Sequence, residues 1–85
     1  MSDHPTDFTG SVADAITAGI RERLPDAVVE VAGSGGHYRI IVTSAWFGGK
    51  SLLDQQRQVL ASIKHLINGE RAPVHAVDSL ETRTP

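Results

Sequence analysis

The chain has 85 residues, a length that suits one domain with one site or one docking face rather than a deep catalytic cleft. Its 8 basic and 10 acidic residues give a formal charge of −2, so any contact with DNA would require a local basic patch. The chain contains no cysteine, which excludes disulfide bonds and all-thiolate metal sites. Histidine is therefore the leading candidate ligand for a transition metal.

The first residues of the chain are polar, and no segment approaches the ~20 apolar residues that a membrane span requires. This start is unlike a secretion signal or an arginine-rich transit peptide, so we expect a cytoplasmic protein with no membrane partner. Residues 1–10 contain Pro5 and Gly10 without periodicity, which predicts a flexible tail. We expect residues 11–85 to form a single domain.

A first helix is predicted to begin after Ser11, whose hydroxyl can cap the helix while Asp14 lies three residues further on. Apolar residues recur at every fourth position and form one stripe, and Pro25 with Asp26 ends the element. The stripe consists of Val12, Ile16, Ile20 and Leu24.

The next two elements are predicted to be the strands of a hairpin. The valine-rich residues 27–32 and the residues 37–43 are typical of strands, and the glycine-rich residues 33–36 predict a four-residue turn between them. Because side chains alternate across a strand, two faces are expected for the second one. Tyr38, Ile40 and Val42 share one face; His37, Arg39, Ile41 and Thr43 share the other.

A long helix is predicted from Ser51 to about Asn68, with Ser51 as its cap, after a sharp turn at Gly48 and Gly49. Gly69 is expected to stop it. Its apolar residues fall three or four positions apart, which predicts one buried face. That face consists of Leu52, Leu53, Val59, Leu60, Ile63, Leu66 and Ile67.

A third strand is predicted from Val74 to Leu80, which completes the order helix, strand, strand, helix, strand. This order predicts an α+β fold, a small three-stranded sheet covered by helices on one face. The helical crossover allows the second and third strands to lie parallel with a right-handed connection. His37 and His75 then lie at the beginnings of two strands, and they converge at one edge of the sheet if those strands are neighbours. Two such histidines are otherwise ordinary surface residues, as we expect for His4 and His65.

Three segments in order give this chain a family resemblance: His37-Tyr38, FGGKSLLDQQRQV at 47–59, and VHAV at 74–77. Over roughly residues 12–85 the chain resembles the BolA-like family, whose fold is similar to a type II KH domain. The resemblance implies a non-enzymatic protein that pairs with a monothiol glutaredoxin and shares a bridged [2Fe-2S] cluster with it and with glutathione. Such a heterodimer implies a role in iron-sulfur cluster assembly, trafficking or iron sensing.

The resemblance also implies metal ligands. The histidine of the family's third strand, matched here by His75, is its cluster-binding residue, and a second ligand comes from the region between the first two strands. Many members place a cysteine or histidine in the loop matched by residues 33–36, but this chain has neither, which leaves His37, solvent or partner atoms for that place. A second departure is Ser79, where the family has an aliphatic residue, so the strand is expected to be shorter or to end outside the core.

Two other functions are compatible with the sequence. The KH-like fold allows a DNA-binding transcriptional regulator that uses Lys50, Arg57 and Lys64, although residues 48–51 lack the second glycine of a GxxG loop. Two of these residues also have explanations without DNA. Lys50 can be a solvated side chain of its turn, and Arg57 can pair with Asp54 along the helix.

An adaptor that binds its partner without metal is the other alternative, and it would use a surface around Trp46, Phe47 and His75. No enzyme is expected, because no residues assemble an acid, a base and an oxyanion site.

Overall fold

Within residues 11–69 and 71–85, which the computed structural model describes, helices and strands follow the predicted order. The predicted tail at residues 1–10 lies outside the described residues. The elements are α1 (Val12–Arg23), β1 (Val28–Ser34), β2 (His37–Thr43), a short 3-10 turn (Ala45–Phe47), α2 (Leu52–Ser62), α3 (Lys64–Ile67) and β3 (Ala76–Arg83). None of the helices in these two ranges is long and apolar enough to cross a membrane.

The three strands form one sheet in the order β1-β2-β3, with β1 antiparallel and β3 parallel to the central strand. The expected faces of β2 are confirmed, because Tyr38, Ile40 and Val42 are buried whereas His37 and Arg39 on the opposite face are exposed. The buried face packs against the helices. The core cluster there includes Ile16, Ile20, Leu24, Phe47, Val59, Ile63 and Val74. The predicted α+β sheet with helices on one face is confirmed.

Helix α1 begins as predicted, since the Ser11 hydroxyl accepts a hydrogen bond from the amide of Asp14 at 3.2 Å. At Gly19 this helix lies close to the end of α2. A Cβ atom on Gly19 would lie 3.0 Å from the carbonyl oxygen of Ser62, which is closer than side chains normally pack. Glycine at this position therefore allows the two helices to approach each other.

The hairpin turn is shorter than predicted. Strand β1 continues to Ser34, which pairs with His37, and the turn consists of Gly35 and Gly36 alone. Both glycines have positive φ angles, 63° and 86°, as a two-residue turn of this twist requires. The prediction of a four-residue turn was wrong because Gly33 and Ser34 belong to the strand, although the segment is rich in glycine. His37 consequently lies directly at the turn.

The predicted long helix is divided at Ile63, whose ψ angle of 14° lies outside the helical range. The Ser62 hydroxyl donates a hydrogen bond to the carbonyl oxygen of Val59 at 2.5 Å, just before the break. Hydroxyl groups that bond back to the helix in this way favour bends. The cap at Ser51 is as predicted, with its hydroxyl accepting from the amide of Asp54 at 3.1 Å.

The predicted buried face of this helix is partly wrong. Leu52, Leu53 and Leu60 are 63%, 56% and 39% exposed, whereas Val59 and Ile63 are fully buried. Leu53 and Leu60 are seven residues apart and lie one residue step, roughly 100°, around the helix from the buried Val59 stripe. Two apolar stripes therefore run along α2, and one of them faces away from the core.

Strand β3 begins at Ala76 rather than at Val74 and ends at Arg83 rather than at Leu80, and it contains a bulge. Val77 pairs with Tyr38 and Ser79 pairs with Arg39, so Asp78 is an extra residue without a partner in the ladder. The bulge explains Ser79, because the strand loses its alternation there and regains it at Leu80, which packs against the core. Of the two alternatives expected from Ser79, the shorter strand was wrong, since β3 runs to Arg83, whereas an end outside the core agrees with the exposure of Glu81 and Arg83.

The far end of β2 is fastened to the α1–β1 connection by Asp26. One carboxylate oxygen accepts a hydrogen bond from the buried Ser44 hydroxyl at 2.7 Å, and the other accepts from the amide of Ala45 at 2.8 Å. The Ser44 hydroxyl also accepts from the amide of Trp46 at 3.1 Å. These hydrogen bonds, the one from Ser44 above all, lower the pKa of Asp26 from its ordinary value.

We predict that Asp26→Asn lowers the free energy of unfolding near pH 7. The folded-state pKa of Asp26 is lowered, so its contribution is complete above the ordinary aspartate pKa of about 3.9 and is lost as the pH falls through the folded-state value. The difference between wild type and variant should therefore shrink below about pH 3.9. Urea unfolding at several pH values measures this. Glu22→Gln, an exposed change of the same charge, is the control; a difference that persists unchanged in acid would contradict the prediction.

Candidate metal and docking site

The structure brings the rings of His37 and His75 together, with centroids 5.3 Å apart and planes inclined by 54°. The backbone causes this proximity. The amides of His75 and Ala76 both donate to the carbonyl oxygen of Gly36, at 2.7 Å and 2.9 Å, so the residues that enter β3 lie against the hairpin turn. His37 follows that turn directly and is in register with Ala76. Both imidazoles are on exposed residues, as a site that meets a partner requires.

Asp78 also belongs to this site, and the sequence analysis missed it. Its carboxylate oxygen Oδ1 lies 3.2 Å from Nδ1 of His37, and both side chains are 53% exposed. The bulge in β3 is what places Asp78 outside the regular pairing of the strands. Ser79, a polar residue where an aliphatic one was expected, was the signal in the sequence that the alternation breaks here.

The described residues supply only part of a metal coordination shell. Between residues 11 and 85, leaving out Glu70, no group of three or more histidine, aspartate or glutamate side chains is placed to hold a metal ion. His65 is exposed on α3, and His4 lies outside the described residues. Two imidazole nitrogens are half of a four-ligand shell, so a metal at this pair needs further ligands from another molecule.

A shallow groove of about 480 Å³ adjoins His75. The groove lies between the beginning of β3, which is an edge strand, and the helices α2 and α3. The lining is largely apolar because it includes the exposed Leu60 and the half-buried Ile67 and Val77. Among the described residues, Lys64 is the one lysine, arginine, aspartate or glutamate of the lining. The groove and the histidine pair therefore form one continuous surface.

The predicted partner surface around Trp46, Phe47 and His75 is wrong in two respects. Phe47 is 1% exposed and belongs to the core, so it cannot contact a partner. Trp46, which is 37% exposed, follows the end of β2, whereas His75 lies beside its beginning. The six residue steps of β2 separate these ends by about 20 Å. Sequence reasoning could not see this, because an apolar pair in a turn looks the same whether it faces the core or solvent.

The three basic residues of the DNA-binding alternative are all exposed, but they are widely spaced: Lys50 precedes α2, Arg57 lies within it and Lys64 begins α3. The ammonium group of Lys50 lies 4.2 Å from the centre of the Trp46 ring and donates to the Trp46 carbonyl oxygen at 3.1 Å. Lys64 lies beyond the other end of the helix, about 20 Å away at 1.5 Å per residue. The pairing of Arg57 with Asp54 is not formed. DNA binding thus stays a prediction from the resemblance.

We predict that Phe47→Ala destabilises the fold by about 3–5 kcal/mol, the usual cost of truncating a buried phenylalanine. Trp46→Ala should cost less, because more than a third of that side chain is exposed although its ring packs edge-on against Phe47 at 6.0 Å. Equilibrium urea unfolding gives both values. A Phe47→Ala protein as stable as wild type would place this ring on the surface instead.

Comparison with known proteins agrees with this architecture. A family model described as BolA-like protein matches residues 18–85, most of the chain. A search of curated proteins gives no match.

Solved structures give similar folds. The BolA domain of SufE1 from Arabidopsis thaliana superposes with a TM-score of 0.72 at 23% identity, covering 92% of this chain and 96% of that one. BolA1 from Mus musculus gives 0.70 at 27% identity, covering 100% and 74%. A Bol-like protein from Babesia bovis gives 0.68 at 28% identity, covering 91% of both chains. The first of these likenesses concerns the fold alone.

Proposed function

Since the chain belongs to the BolA-like family, we propose that it is a non-enzymatic partner of a monothiol glutaredoxin and shares a bridged [2Fe-2S] cluster with it. Its role would be in iron-sulfur cluster assembly, trafficking or iron sensing. The observation that supports this most is the pair of exposed imidazoles, His37 and His75, with ring centroids 5.3 Å apart.

The donor set fits one iron of such a cluster. Two histidines can replace two cysteines on one iron of a [2Fe-2S] centre, and His37 with His75 supply that number of nitrogens in a chain without cysteine. The partner's cysteine and a glutathione thiol would hold the other iron. When bound, the cluster would supply one-electron chemistry at a higher potential than an all-thiolate centre has, and acid would release it because imidazole binds metal only when neutral.

The surroundings of the pair support a shared site rather than one that this chain completes alone. The rings lie on the surface, the described residues place no third side chain to hold a metal with them, and the apolar groove begins at His75. Apolar surface of this kind next to an incomplete donor set is what a protein partner would cover. The glutaredoxin would therefore dock along the groove and bring its thiolate to the histidines.

The first test adds the protein to a cluster-loaded monothiol glutaredoxin and records visible circular dichroism. We expect a new spectrum for the wild type, because histidine ligation changes the environment of one iron. His75→Ala should remove most of the change, and His37→Ala should weaken it. His65→Ala, an exposed histidine on α3, should leave it intact. An unchanged spectrum at high excess of wild-type protein would refute the proposal.

The second test addresses docking in the absence of a cluster. Leu60→Ala removes an apolar side chain from the groove, and we expect it to weaken binding of apo-glutaredoxin by at least about 1 kcal/mol, or roughly fivefold in Kd. Leu53→Ala is the matched control, because this leucine is also exposed on α2 but does not line the groove. Isothermal titration calorimetry measures both. An unchanged Kd for Leu60→Ala would mean that the partner binds elsewhere, and equal losses for the two variants would mean that it covers the stripe shared by Leu53 and Leu60 rather than the groove.

A further inference from the structure

The bulge in β3 places a carboxylate beside one of the two histidines. In the ladder, Tyr38 pairs with Val77 and Arg39 with Ser79, and Asp78 is left between them. Bulges are frequent next to functional sites because they redirect a side chain. Here the redirected group is the Asp78 carboxylate, whose Oδ1 lies 3.2 Å from Nδ1 of His37.

A hydrogen bond between these two atoms would determine which ring nitrogen of a neutral His37 carries the hydrogen. An ionised carboxylate can only accept hydrogen bonds, so a neutral imidazole that bonds to it must carry its hydrogen on Nδ1. The other nitrogen, Nε2, then has a free lone pair and can bind a metal. A histidine without such a neighbour favours the opposite tautomer in water, with the hydrogen on Nε2. Asp78 thus has a specific effect on His37 that a merely solvated carboxylate would not have.

We propose that Asp78 is a positioning residue: it fixes the tautomer and the orientation of the His37 ring, so that Nε2 is the nitrogen offered to metal. The inference rests on the proposed function in one respect, namely that His37 is a ligand. Metal-binding histidines commonly donate their second ring N–H to a carboxylate, which holds the ring and increases its basicity. His75 is positioned differently, through its backbone amide bond to Gly36.

The contribution of Asp78 is separable from folding. Both members of the pair are half exposed, and exposed ion pairs contribute little to the free energy of unfolding. Glu81 provides a matched control, because it is another exposed carboxylate of β3 and is hydrogen-bonded to Arg83 rather than to a histidine. Asp78→Ala and Glu81→Ala therefore remove the same charge from the same strand, but only the first removes the partner of His37.

The direct test is the ¹⁵N spectrum of the histidine rings in the metal-free protein, at a pH where the rings are neutral. We expect the wild type and Glu81→Ala to carry the His37 hydrogen on Nδ1. In Asp78→Ala the hydrogen should move to Nε2, while the spectrum of His65 stays the same. A wild-type ring that carries its hydrogen on Nε2, or one that is unaffected by Asp78→Ala, would overturn the proposal.

The second measurement is a titration with Zn²⁺ alone, followed through the ring signals of His37 and His75. Asp78→Ala should bind at least about tenfold more weakly than wild type, the usual effect of losing a carboxylate behind a histidine ligand, and Glu81→Ala should bind equally well. Equal affinities for wild type and Asp78→Ala, or no Zn²⁺-dependent shift of His37 in the wild type, would overturn the inference. Neither measurement uses glutaredoxin, so a failure here is distinguishable from an absent cluster spectrum, which would refute the proposed function instead.

Discussion

The candidate site depends on one backbone oxygen. The carbonyl of Gly36 accepts hydrogen bonds from two successive amides, those of His75 and Ala76, and so joins the hairpin turn to the beginning of β3. Because strands β2 and β3 are parallel, fixing their beginnings also fixes their register. The two histidines meet as a consequence of this register, although 38 positions separate them in the chain.

The two ends of the central strand, β2, differ in burial and in the residues they place. At its far end, the buried Ser44, the carboxylate of Asp26 and the ring of Phe47 fasten the strand to the rest of the fold. At its near end, the side chains of His37, His75 and Asp78 are exposed, although the adjoining Tyr38 belongs to the core. A rigid end that anchors the strand allows the other end to present polar groups in a fixed arrangement. This division explains why the aromatic pair at the far end is not part of the site.

Local chemistry was predictable from the sequence, whereas packing and phase were not. The caps at Ser11 and Ser51 and the faces of β2 follow from short-range rules and were predicted correctly. The break at Ile63 and the exposure of Leu60 depend on which side of the helix meets the sheet. No periodicity contains that information, because two apolar stripes on one helix look like a single wide one. The bulge shifted the strand's phase at Asp78, which concealed the carboxylate beside His37.

The composition limits what the site can be. Without cysteine the chain offers metals no thiolate, and its described residues bring two imidazoles together without a third side chain placed to ligate the same metal. A complete site would bind its metal independently of any partner, whereas half a site binds strongly only when another molecule adds its ligands. Ligand binding and protein association are then linked, since each increases the affinity of the other by the same factor. The apolar groove beside His75 would contribute to the binding free energy of a partner without metal, so docking there would not require a bound metal.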